Sequence, residues 1–149
     1  MPTTHTSNEQ TIEAAVSGPD GANRLFICTG QALIGRSLDE NQDVSSTWTF
    51  HIGPDLPRPQ FHRATASAFV AAYSAHARNP VLGGTTMTGQ ATPDLGTHSL
   101  NIASVEADWD DEQRRTEMRV EINMSTGPGA HLELLSIGFS ATVLAELPG

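Results

Sequence analysis

"QFHRATASAFVAAYSAHARN", Gln60–Asn79, decides the fold class, because no other stretch of the chain carries a comparable set of helix signals. Pro59 suits a first helical turn, alanine is frequent, Arg78 complements the C-terminal end of a helix dipole, and Asn79-Pro80 supplies a stop. Phe61, Ala64, Ala68, Ala72 and Ala75 fall on one face at helical spacing, with Phe69 and Tyr73 alongside. The pattern predicts one helix over about residues 59–79, narrow enough to lie close to whatever it covers.

On either side of this segment the period is two. Upstream, Ile12, Ala14 and Val16 alternate with polar or small residues, "SGPDGAN" supplies a turn, and "RLFICTGQALIG" reads as the second arm of a hairpin. A polar loop, "RSLDENQD", precedes "SSTWTFHI", a strand with Trp48, Phe50 and Ile52 inward and Thr47, Thr49 and His51 outward. Downstream, "HSLNIASVEADW", "RRTEMRVEINMS" and "HLELLSIGFSATVLAEL" form a meander. Its middle strand points Met118, Val120, Ile122 and Met124 one way and Arg115, Glu117, Arg119, Glu121 and Asn123 the other. Asp108 is expected opposite Arg115, and the adjacent Leu134 and Leu135 imply a β-bulge. The order βββαβββ predicts an α+β fold: a mainly antiparallel sheet, or a partly closed barrel or sandwich, with one covering helix. Residues 1–10 read as a flexible polar arm and 11–149 as a single α+β domain; the Gly/Thr-rich residues 81–97 are longer than an ordinary connector.

Composition removes several functions. With 17 acidic and 8 basic residues the net charge is -9, so nucleic acid and anionic membrane are excluded as main partners. Every basic residue is arginine, which removes Schiff-base lysine chemistry and the lysine of a phosphate-binding P-loop. The one cysteine, Cys28, permits no intrachain disulfide. The N-terminus lacks the basic and apolar regions of a Sec-type signal, and no apolar window is long enough to cross a membrane as a helix. The default expectation is a soluble, cytoplasmic chain.

Three constellations could carry chemistry. Asp39, Asn41 and Asp43 have the D-x-N-x-D spacing of a calcium loop, but Val44 and Phe50 stand where an EF-hand needs glycine and a bidentate glutamate, so a solvated acidic loop is the preferred reading. His51, His62 and His98 are candidate polar anchors for a pocket, with His51 placed to meet His62 near the helix start, but solvated surface histidines are the preferred reading. Cys28, in "LFICTG", reads as a small core hydrophobe rather than a nucleophile. No named catalytic signature is present, and no cofactor is implied.

What distinguishes the chain is the stripe Ser136, Gly138, Ser140 and Thr142 in its last strand, where a solvated face would carry long charged side chains. Such small residues let another backbone approach, from the chain's own helix or from another subunit. The expected function is therefore a non-catalytic interaction or assembly protein, partnered by protein and most simply by itself as a homo-oligomer. The alternative is a small-molecule-binding domain or enzyme whose pocket is closed by the 59–79 helix and the 81–97 loop.

Overall fold

The computed structural model describes residues 3–18, 21–77 and 98–146. Seven strands run in chain order: β1 (Thr6–Gly18), β2 (Gly21–Leu38), β3 (Asp43–Ile52), β4 (Phe61–Ala77), β5 (His98–Asp110), β6 (Arg115–Thr126) and β7 (Ala130–Glu146). They form two antiparallel sheets, one ordered β1-β2-β7-β4 and the other β3-β6-β5. The sheets share one apolar core. Alternation along each strand supplies its inward face: Met118, Val120, Ile122 and Met124 of β6 meet Ile137, Phe139, Ala141 and Val143 of β7 across it.

The helix expected over 59–79 is a strand. No α-helix occurs among the described residues, and the one helical turn is the 3-10 segment Arg58–Gln60, which contains Pro59 and leads into β4. β4 pairs along its length with β7, setting Ala64, Ala66, Ala68 and Val70 opposite Val143, Ala141, Phe139 and Ile137. Alanine at 64, 66, 68 and 72 fits a period of two as readily as alanine at 64, 68, 72 and 75 fits one of 3.6, so the pattern cannot arbitrate. The tertiary demand does: β7 is buried and needs partners on both sides for its backbone, β2 on one and β4 on the other. Helix propensity is worth less than about 1 kcal/mol per residue and yields to that requirement. The architecture is therefore β-rich, and the described residues form neither a covering helix nor a closed barrel.

Three other boundaries move. Thr6–Gln10, expected in a polar arm, begin β1, and Thr4 donates its backbone N–H to the Thr49 carbonyl at 3.0 Å, tying the chain start to the second sheet. Arg36–Leu38, expected in a loop, complete β2 after an irregularity at Gly35, whose φ of +63° a side chain would resist. The β5–β6 register is shifted by two from expectation: Asp110, not Asp108, opposes Arg115, so Glu106 faces Arg119 and Asp108 faces Glu117. The β7 irregularity lies where the two leucines predicted it, although Leu135 points to solvent while Leu134 and Ile137 are buried. Arg78, Asn79 and the whole 81–97 segment lie outside the described residues.

Candidate functional site

The outer faces of the two sheets differ in chemistry. On β3-β6-β5 the outward row carries His51, Arg115, Glu117, Arg119, Glu121, Glu106, Asp108 and Asp110, a solvated mixture of both signs. On β1-β2-β7-β4 the outward rows run Ile12-Ile27-Thr142-Thr65, then Thr29-Ser140-Ser67, then Gln31-Gly138-Phe69. Within those rows no acidic residue occurs; Arg63 lies alongside, and Glu146 stands at the end. Large apolar side chains are nevertheless open to water there: Ile12 is 63% exposed, Phe69 58% and Leu33 55%. This is the face on which the small-residue stripe lies.

Among the described residues no helix covers that stripe, and its cover comes from the neighbouring strand. Phe69 of β4 stands directly opposite Gly138 and lays its ring over it; a Cβ on Gly138 would meet Phe69 Cζ at 2.3 Å. Glycine thus leaves the space that a same-sheet aromatic ring occupies, and Ser136 is buried beside it. Ser140 and Thr142 remain half-exposed. Thr142 borders a shallow depression of about 270 Å³ with Leu25, Arg63, Thr65 and Leu144. Because the Phe69 ring is exposed, it can swing away from an intruder. Gly138→Leu should therefore cost only about 1 kcal/mol, the low end of overpacking, and lower the melting temperature by a few degrees in a calorimetric scan.

The acidic turn is occupied by its own contacts. Asp39 donates its backbone N–H to Gln42 Oε1 at 2.7 Å, and its carboxylate Oδ1 lies 3.2 Å from His131 Nδ1. Thr126 Oγ1 donates to the Asp39 carbonyl and accepts the Gln42 N–H at 3.1 Å, while Asn41 takes a φ of +57° at the bend. Asp43 is exposed at the start of β3. Among the described histidine, cysteine and acidic residues, Asp39 and Asp43 belong to no group of three or more whose side-chain donor atoms converge.

The histidines separate. His62, at the start of β4, has its Nε2 3.7 Å from Glu146 at the end of β7, and His98 is exposed at the start of β5 beside Val70, Tyr73 and Leu100. His51 meets acids instead of His62. Its Nε2 is 2.7 Å from Asp110 Oδ2 and 3.6 Å from Glu117 Oε2, linking all three strands of the second sheet. At Asp110 burial raises the carboxyl pKa, but the His51 hydrogen bond and the N–H groups of Glu112 and Gln113 outweigh it and hold the group below its ordinary value. Neither acid was legible as a partner of His51, since Asp110 lies 59 residues away in sequence.

Cys28 sits fully buried in β2, where burial foremost raises its thiol pKa and Thr11 Oγ1 approaches Sγ at 3.8 Å. A raised pKa disfavours the thiolate, so the group is a poor nucleophile. Comparison with protein-family models, curated proteins and solved structures returned no match.

Proposed function

We propose that this chain is a non-catalytic assembly module that packs against a second copy of itself through the outer face of β1-β2-β7-β4. The supporting observation is the contrast between the two outer faces. Two copies that each carry a charge of -9 repel one another, and the approach that keeps acids apart is through the middle rows of this face, which lack Asp and Glu, with Glu133 and Glu146 standing toward the two ends of β7. That face also exposes Ile12, Leu33 and Phe69, apolar area whose removal from water contributes roughly 25 cal/mol per Å². Small hydroxyl residues along its middle keep it flat, which suits sheet-on-sheet packing at about 10 Å. The pocket-forming alternative loses the helical part of its lid, because the segment expected to be a covering helix is the sheet strand β4; the 81–97 part lies outside the described residues.

Ile27 stands at the centre, flanked by Ile12 and Thr142, and is 37% exposed. Wild-type protein should show twice the chain mass by light scattering. Ile27→Glu should halve it while leaving circular dichroism unchanged, since a partly exposed strand position accepts a charge that a buried interface does not. A wild-type protein that stays monomeric at every working concentration would refute the reading, as would an Ile27→Glu variant of undiminished mass.

A further inference from the structure

On the opposite outer face, we propose that His51, Asp110 and Glu117 bind one first-row divalent transition ion, with zinc the best match. His51 comes from β3, Glu117 stands directly opposite it on β6, and Asp110 comes from the end of β5. Three adjacent strands thus fix the donors, and one donor atom from each residue lies within 4.8 Å of the others. An ion bound at about 2.0 to 2.2 Å in a tetrahedral site separates its donors by roughly 3.3 Å. The observed 2.7 Å and 3.6 Å from Nε2 to the two carboxylate oxygens bracket that spacing, so rotamer adjustments alone would seat the ion.

The remaining oxygens are tied back, as the outer partners of metal ligands commonly are. Asp110 Oδ1 accepts the Glu112 N–H at 3.4 Å, and Glu117 Oε1 lies 3.6 Å from Arg119 Nη2. Both acids therefore present their other oxygen to the same imidazole nitrogen. Cationic compensation is incomplete. Arg115, which opposes Asp110 in register, directs Nε to the Gly53 carbonyl at 2.9 Å and Nη2 toward Glu9 at 3.7 Å. Among the described residues no guanidinium lies within 4 Å of the Asp110 carboxylate, and Asp108 adds a further acid opposite Glu117. Two carboxylates and an imidazole make a borderline donor set, suited to zinc and too few in oxygens for calcium, which takes 6 to 8. The half-exposed position leaves room for water as the fourth ligand.

The test is calorimetric titration of the chelator-treated full chain with zinc chloride, with calcium chloride as the comparison. Zinc should bind at one ion per chain and raise the melting temperature; calcium should give no specific heat. His51→Ala and Asp110→Asn should each weaken zinc binding by at least the roughly 10- to 100-fold lost when even outer partners of a metal site are removed. Asp110→Asn keeps the shape of the side chain, so it remains informative if His51→Ala fails to fold by circular dichroism. Cobalt should give visible absorption bands that Asp110→Asn abolishes. Absence of zinc binding, or binding that survives Asp110→Asn at wild-type strength, would overturn the assignment.

Discussion

Phe139→Ala should destabilise the protein by about 3 to 5 kcal/mol, toward the upper end of that range for a buried aromatic. Phe139 of β7 reaches across to the other sheet, where its ring centre lies 5.1 Å from that of Phe50 on β3 with the planes tilted by 48°. Its own-sheet neighbours are small: Gly30 of β2 on one side and Ala68 of β4 on the other. A Cβ on Gly30 would meet the ring at 2.9 Å, so the ring fills the space that this glycine leaves. With the ring removed, neither neighbour has side-chain volume to move into the gap, and the cost of an uncollapsed cavity adds to the lost transfer energy. Against a total stability of roughly 5 to 15 kcal/mol, guanidinium denaturation should show a much earlier midpoint with an unchanged slope. A loss under about 1 kcal/mol would mean that the two sheets do not pack through this pair.

Ala66→Asp should cost about 3 kcal/mol, and it separates a strand from a helix over the same residues. In β4, Ala66 faces inward opposite Ala141 and packs on the shared core. On a helix bearing Phe61, Ala64, Ala68 and Ala72 on one face, residue 66 would point to solvent and tolerate the charge. The figure is set at the low end for an unpaired buried charge because Ala66 is only half-buried and borders an open cleft with Val105 and Ala107 of β5. Ser67→Asp, one residue on and exposed on the outer face, should change the dilute protein by less than about 0.5 kcal/mol. Equal tolerance of both substitutions in chemical denaturation would contradict the pairing of β4 with β7.

The strands whose residues differ sharply from face to face were legible. Met118 to Met124 against Arg115 to Asn123 can be read only one way, and Trp48, Phe50 and Ile52 against Thr47 and Thr49 nearly so. β4 was not, because alanine and serine carry little contrast and its identity depends on β7, a strand more than fifty residues further along. Register failed for a related reason: in β5 and β6 acids and arginines occur at every second position, so a slip of two keeps each face intact and only the turn length distinguishes Asp108 from Asp110. The small stripe stands out in the sequence as an anomaly, while Phe69, which covers it, lies in a segment whose local pattern reads as helix. His51 was marked as a polar group without its partners, since nothing local to it points to residues on two later strands.

The place of β7 also bears on how quickly the molecule can form. It lies between β2 and β4, and its pairing runs from Asn23 opposite Glu146 to Ala77 opposite Ala130. The β1–β2 and β5–β6 hairpins can close over short loops, but the larger sheet cannot be completed until a strand near the end of the described chain inserts between two that precede it. Each such closure is entropically costly before any contact rewards it, and proteins dominated by distant pairings fold in milliseconds to seconds rather than microseconds. Until then β2 and β4 each present an unpaired inner edge, and β2 contributes Phe26, Cys28 and Ile34 to a core not yet closed. The interval before β7 docks is thus when this chain is most exposed to pairing with the wrong strand.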